Sequence, residues 1–338
     1  MRKLKNLISR NAPSDSGIWP VMRSASSVLF YYRYYRHQVL GNPLRNFREL
    51  YIEPVGYCNL RCRWCALDHL KPKSRFDVSV FQDVVNEIIR DQRLRSIQWI
   101  HLHNGGESTL HPHLEDMLKI VFLAKKKASD RGHAFPKVSL LSNGTVFRPG
   151  LATAMKNYPA LDLLRFSMDG GSPQAYEEIR NRARWGVFRE TVIKYIEAAR
   201  ASEKPPQIEC ICLIPDDLKP RDVQRNPEFS EMLRLFDDFE VRYAHDWGGQ
   251  LSESEKALPS TLPLHRRGCR LLLNSLVLLA DGSVTVCCAD LNGRGVIGSY
   301  PETSLANLFL HADRNGMLEK IARGRNADIP LCASCEGF

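Results

Sequence analysis

Leu50-Tyr-Ile-Glu-Pro-Val-Gly-Tyr-Cys58-Asn-Leu-Arg-Cys62-Arg-Trp-Cys65 is the stretch on which the fold turns. Its opening run, Leu50–Val55, is short and apolar and reads as a strand. Three cysteines follow at once, so the strand delivers three thiolates onto a single loop. Three is the informative number. A closed zinc site takes four ligands, whereas a [4Fe–4S] cube held by three cysteines leaves one iron open to bind something else. Zinc held by the three cysteines and His69 is the alternative that the spacing leaves open.

Outward from this loop, β-branched runs alternate with helical patterns, the signature of βαβ units and a mainly parallel sheet. Strands are predicted at Leu50–Val55, Ile97–His103, Val138–Leu141, Leu163–Met168, Ile208–Leu213 and Phe239–Tyr243. Helices are predicted over Ser79–Asp91, Leu114–Asp130, Tyr176–Arg180 and Val187–Ala201, the first capped near Asp77 or Ser79. Six such repeats make an α/β fold, a partial (β/α)6 TIM-like barrel whose reactive side is the mouth at the strand C-termini. Further on, Asp281-Gly282 joins two predicted strands, Asn274–Ala280 and Ser283–Cys288, as a β-hairpin. The expected organisation is an arm over 1–47, a core over 48–250, a linker over 251–264 and a small cysteine-bearing module over 265–338.

The chain's 338 residues are 43% hydrophobic and 25% charged, an ordinary globular balance that excludes collagen-like and wholly disordered classes. The net charge of +9 is concentrated at the start, where residues 1–50 hold nine basic side chains against Asp15 and Glu49. A nucleic-acid binder spreads its charge over a folded face, so this distribution argues against one. No apolar run reaches the roughly 18 to 20 residues of a membrane span, and the basic start lacks a secretory h-region. The expected location is cytoplasmic. Ten clustered cysteines then point to metal or redox chemistry rather than disulfides. In the arm, Val28–Arg36 interleaves aromatics with arginine, as a helix packed on the barrel or as a surface for nucleic acid, anionic membrane or sugar.

The second strand ends in Asn104-Gly105-Gly106-Glu107, where paired glycines admit close backbone approach and a carboxylate can receive an ammonium group. One βα unit after a C-x3-C-x2-C loop with Trp64 before its last cysteine, this constellation resembles the radical S-adenosylmethionine (radical SAM) superfamily. The resemblance implies a [4Fe–4S] cluster on Cys58, Cys62 and Cys65 whose open iron chelates SAM. It also implies SAM contacts from Trp64, Gly105, Gly106 and Glu107, and from the strand-end turns at Ser142, Asn143 and Ser167, with Arg180 meeting the SAM carboxylate. The implied chemistry is reductive cleavage of SAM to a 5′-deoxyadenosyl radical that abstracts hydrogen from an unactivated C–H bond. Its electron would come from a donor such as flavodoxin or ferredoxin.

Cys269, Cys287, Cys332 and Cys335 close a four-thiolate set, for which zinc and a fully ligated [4Fe–4S] cluster are both chemically reasonable. Behind such a core, the run Asp281–Cys287, then Ile297-Gly298, Ser304-Leu305 and the final Cys-x2-Cys, resembles SPASM and twitch modules, which carry auxiliary clusters. The cysteines suffice for one, the shorter twitch form, with Cys287 as ligand and Cys288 on the opposite face. An auxiliary cluster able to take an electron points to dehydrogenation or epimerisation of a small-molecule or sugar substrate. Cys210 and Cys212, two apart on one strand, share a face and are the candidate hydrogen donors for epimerisation. His101 and His103 share a face likewise. Two other readings are a maturase of a ribosomally made peptide and a non-enzymatic zinc module binding nucleic acid through the arm.

Overall fold

The computed structural model describes residues 18–243, 247, 249–251 and 268–335. Residues 1–17 of the arm and almost all of the expected linker lie outside them. The arm's α1 (Ile18–Arg33) runs into a π-helical turn, Tyr34–Val39, and buries Phe30 and Tyr34 in the main core while Val28, Tyr32 and Tyr35 stay exposed.

Strand and helix then alternate as the sequence predicts: β1 (Glu49–Ile52), α2 (Val78–Arg90), β2 (Trp99–Leu102), α3 (Leu114–Asp130), β3 (Lys137–Ser142), α4 (Pro149–Asn157) and β4 (Leu163–Ser167). After α5 (Pro173–Ile179) and α6 (Trp185–Arg200) come β5 (Gln207–Ile214), α7 (Pro227–Leu233) and β6 (Asp238–Tyr243). Local signals set the boundaries. Asp77 caps α2 by accepting from the amides of Ser79 and Val80, and Ser172 caps α5 through Ala175. Each strand from β1 to β6 pairs in parallel with the next, giving the partial barrel.

After α8 (Arg270–Asn274) the chain returns to this same sheet. Strand β7 (Ser275–Leu278) lies parallel to β1, with Tyr51 opposite Val277, and then β8 (Ser283–Thr285) and β9 (Val296–Ser299) follow antiparallel. The result is one nine-stranded sheet, in the order β6-β5-β4-β3-β2-β1-β7-β8-β9. The hairpin turn falls at Asp281-Gly282, where Gly282 has φ +87°. Two short helices, α9 (Leu305–Phe309) and α10 (Ala312–Ala322), complete the fold. Phe309 stacks on Phe47 with ring centres 4.4 Å apart, so the C-terminal segment shares the barrel's core. Among the described residues no helix is long and apolar enough to cross a membrane.

Candidate active site and cysteine centres

Beyond β1 the chain enters the loop of Cys58, Cys62 and Cys65, which the end of α5 holds in place. The amides of Arg61 and Arg63 donate to the carbonyls of Asn181 and Ile179 at 3.0 and 2.8 Å. The Arg61 guanidinium turns back to the carbonyls of Cys58 and Leu60. Trp64 is buried with Ile179 and Leu251, and its carbonyl accepts from Trp247 Nε1 at 2.8 Å, so it anchors the loop. The three thiols lie close enough to feel one another's charge. Burial pushes Cys58 and Cys62 up to about 11, with the Glu107 carboxylate adding to the first and the Cys65 thiolate to the second. Cys65 is raised by burial and by Cys58. Thiols so reluctant to ionise unaided become thiolates when metal replaces their protons.

The Gly-Gly-Glu turn lies against this loop. A Cβ on Gly106 would fall 1.9 Å from the Val55 carbonyl oxygen, so only glycine fits there. Glu107 is buried and accepts from the Thr109 amide and hydroxyl, from Ser142 Oγ at 2.8 Å and from the Asn143 amide at 2.6 Å. Its oxygens thus join the ends of β2 and β3. Asn143 Nδ2 donates in turn to Asn59 Oδ1 at 2.9 Å and lies 3.7 Å from Cys58 Sγ. Cys58, Glu107, Ser142 and Asn143, far apart in sequence, therefore form one bonded rim.

Two rim residues escaped the sequence reading. Glu53 is buried, accepting from the Gly105 amide at 2.9 Å and the Ala280 amide at 3.1 Å, so it ties β1 to both the Gly-Gly-Glu turn and the hairpin. Burial raises its carboxyl, with Lys71 opposing. The available signal was a carboxylate ending an otherwise apolar run. Asp169 is the second. It accepts from the Leu213 amide and pairs with Arg180 at 2.9 Å. Arg180 is buried, and although burial works against its charge, Asp169 and Cys62 outweigh that and hold it charged. Within the chain its partner is the Asp169 carboxylate, beside the cysteine loop.

Strand register defines the lumen of the partial barrel. Tyr51 lies opposite His101, His101 opposite Ser139, Leu141 opposite Arg165, Arg165 opposite Glu209, and Ser167 opposite Ile211. Tyr51 and His101 stack at 4.4 Å, His103 stands edge-on to Tyr51 at 5.9 Å, and Arg165 pairs with Glu209 at 2.7 Å. Burial first, then the Arg165 charge, lowers His103 to about 3, so its ring is neutral. His103 Nδ1 is buried and has no hydrogen-bond partner.

Cys210 and Cys212 point the other way. They alternate with Glu209, Ile211 and Leu213, lie beside Phe166 and Val241, and are fully buried in the hydrophobic layer between sheet and helices. They share a face, as expected, but it is the face turned from the lumen, which corrects their candidacy as hydrogen donors. Their thiols are pushed far up by burial.

The C-terminal cysteines gather from three chain segments. Cys269 caps α8, with Sγ accepting from the Leu272 amide at 3.3 Å. Cys287 Sγ accepts from the Ala289 amide at 3.4 Å. Cys332 and Cys335 lie on one turn, the Cys335 amide donating to the Cys332 carbonyl at 3.2 Å. Burial raises Cys287, which also feels its neighbour Cys288, then Cys269 and Cys335; Cys332 is pushed to about 12 by burial and then by Cys269 and Cys335. Cys288 is instead hydrogen-bonded to Tyr51, on the lumen side.

The two thiol groups suit cubane clusters. Among the described residues no three His, Cys, Asp or Glu side chains converge as a single-ion site. A cubane takes each thiolate on a different iron, so its donors stand further apart.

Comparison with known proteins agrees. Residues 52–219 match the radical SAM superfamily and 269–336 an iron–sulfur cluster-binding domain, SPASM. A cofactor-modifying protein for tungsten-containing aldehyde ferredoxin oxidoreductase from Pyrococcus furiosus is 29% identical over 36% of this chain and 31% of its own. The subtilosin biosynthesis protein AlbA of Bacillus subtilis is 27% identical over 40% of this chain and 26% of its own, so this chain spans well under half the length of both. Among solved structures, Streptococcus suis SuiB bound to its precursor peptide superposes with TM-score 0.63 at 14% identity, covering 100% of this chain and 82% of that one. BtrN in complex with AdoMet and 2-DOIA gives 0.56 at 15%, covering 86% and 94%. With the partial barrel, the cysteine loop and the C-terminal cysteine set in place, the chain belongs to the radical SAM superfamily, as an enzyme with a C-terminal SPASM module that uses SAM, a [4Fe–4S] cluster and auxiliary iron–sulfur chemistry.

Proposed function

We propose that Cys58, Cys62 and Cys65 hold the SAM-binding cluster, that Cys269, Cys287, Cys332 and Cys335 hold one auxiliary cluster, and that the enzyme dehydrogenates a small hydroxylated substrate, such as a sugar, in the lumen. When bound, cluster and SAM together supply a radical able to take hydrogen from an unactivated C–H bond. The lumen face carries this reading: a polar, aromatic wall of Tyr51, His101, His103, Arg165 and Glu209. Tyr51 and His101 offer a flat stacking surface for a sugar ring, while Arg165 and Glu209 offer fixed charges to its hydroxyls. His103 is held neutral with Nδ1 unengaged, so it can accept a hydrogen bond from the hydroxyl of the carbon to be oxidised and orient it. Cys210 and Cys212 face away from this wall, so neither supplies the second hydrogen that epimerisation needs. Gly105, Gly106 and Glu107, with Ser142, Asn143 and Ser167, frame the rim over which SAM lies. A flavodoxin or ferredoxin is the electron donor in this reading.

A second reading makes the substrate a ribosomally synthesised peptide. It is favoured by the likeness, over the whole chain, to SuiB solved with its precursor peptide.

Iron and sulfide analysis with electron paramagnetic resonance of anaerobically reconstituted, dithionite-reduced protein tests the cluster assignment. About eight irons per chain, with one cubane signal shifted by SAM, are expected; about four would overturn the auxiliary assignment. Turnover with polyols and with candidate precursor peptides then separates the substrates. A product two hydrogens lighter than its polyol supports dehydrogenation, and one unchanged in mass but carrying solvent deuterium would replace it with epimerisation.

A further inference from the structure

Arg314, on α10, is fully buried and among the largest side chains with no exposure. Its Nη1 donates to the Phe309 carbonyl at 2.8 Å and its Nη2 to the Leu272 and Leu273 carbonyls at 2.6 and 3.0 Å, while Nε has no partner. The guanidinium lies 3.6 Å from the Phe309 ring centre. Among the described residues no carboxylate pairs with it; burial lowers it to about 9, and Cys269, once ionised, opposes this. A buried cation without a counter-charge costs several kcal/mol, which makes a bare guanidinium here a strained choice for a mere carbonyl clamp.

The geometry supplies the counter-charge. Helix α8 carries Cys269 at its N-cap and the Leu272 and Leu273 carbonyls one turn later, so a single short helix links the thiol to the guanidinium. We propose that Arg314 is a positioning residue for the auxiliary cluster, fixing Cys269 through α8 and using its buried charge to raise that cluster's reduction potential. The inference rests on Cys269 being a ligand. A cubane with four thiolates is an anion and gains a further negative charge on reduction, so a fixed cation nearby favours the reduced form, and net charge is one of the main determinants of such potentials. This deepens the dehydrogenation reading, in which the auxiliary cluster must accept an electron.

The test is a redox titration of the reconstituted holoenzyme, followed by electron paramagnetic resonance, for the wild type, Arg314→Lys and Arg314→Met. In Arg314→Met the auxiliary cluster's equilibrium is expected to move at least tenfold against reduction, 59 mV for a one-electron couple. The SAM-binding cluster should stay where it is, and Arg314→Lys should recover most of the shift. An unshifted potential in Arg314→Met with full iron overturns the proposal, as does an equal shift in both variants, which would mean shape rather than charge. Should Arg314→Met fail to hold iron, Arg314→Gln, able to donate to the carbonyls without charge, takes its place with the same expected shift. Cys269→Ala separates the underlying reading: iron staying near the wild-type content would remove Cys269 as a ligand, whatever Arg314 does.

Discussion

The two cysteine centres are built in opposite ways. Cys58, Cys62 and Cys65 sit on one loop that a neighbouring turn holds through backbone bonds at Arg61 and Arg63, and their surroundings carry charge: Glu107, Asp169 and Arg180 lie close by. Cys269, Cys287, Cys332 and Cys335 come from three segments spread over more than sixty residues, brought together by β7 pairing with β1 and by a buried arginine. Three local thiols leave a coordination position open beside a polar rim, where a cofactor can bind. Four thiols gathered by tertiary structure would, as the ligands proposed for the auxiliary cluster, close their site and leave electron transfer as the available chemistry. In the proposed function the contrast separates making a radical from disposing of its electron.

The largest effect that can break this contrast is loss of a ligand. Cys58→Ala, Cys62→Ala and Cys65→Ala should each reduce 5′-deoxyadenosine formation to background, measured chromatographically under anaerobic reduction. Cys335→Ala should retain uncoupled cleavage yet yield no product. Equal loss in both sets would show that the centres are not functionally separate.

A step below is Gly106→Ala. The added methyl would meet the Val55 carbonyl at 1.9 Å, against backbone rather than a yielding side-chain end, so the cysteine loop must move. A destabilisation of about 1–3 kcal/mol or more is expected, with iron lost from the SAM-binding site before the auxiliary one. Thermal unfolding and iron content after partial chelation would show it. Gly282→Ala, at φ +87° on the hairpin, should reverse the order of loss.

How far these features could be read in the sequence follows from how local they are. The cysteine loop, the Gly-Gly-Glu turn and six alternating strands were legible because each is written within one short segment or one hydrophobic period. Glu53, Asp169 and Arg314 were not, because their roles arise only when distant segments meet: Glu53 bonds to Gly105 and Ala280, Arg314 to Leu272 and Leu273. The hairpin's turn was predictable from Asp281-Gly282, but its docking in parallel on β1 was not, since a local pattern carries no information about which edge will accept it. Period two showed that Cys210 and Cys212 share a face, but not which side of the sheet that face meets.

The lumen has its own pH signature, smaller than the effects above. His103 is lowered to about 3 in the fold, below the roughly 6.5 of an unfolded chain. Above pH 6.5 both states are neutral at this site and its contribution is complete. As pH falls from about 6.5 towards 3, the unfolded chain takes a proton that the folded one refuses, so stability drops across that window. Urea unfolding of the apoprotein at pH 7.5 and 5 should show the drop, and His103→Gln should flatten it. The same substitution should slow product formation more than SAM cleavage, since it acts on the electron-disposal side of the contrast.

The smallest expected effect is at Cys210 and Cys212, where the side of the sheet decides. Both are fully buried among apolar side chains, so each thiol acts as a small hydrophobe. Replacing either by alanine leaves a small cavity and should cost on the order of 1 kcal/mol of stability. Serine should cost more, because the hydroxyl enters an apolar layer without an assured partner. Turnover per loaded cluster should be unchanged in the alanine variants, and the product made in deuterium oxide should carry the same label as the wild type's. A change in that label would put one of these thiols in contact with the substrate and return epimerisation as the reaction. It would also require β5 to present its other face to the lumen, a one-residue slip that would bury Glu209 in the hydrophobic layer without water and leave Arg165, on β4, without its partner. That cost holds the register, and with it the separation of buried thiols from the reacting lumen.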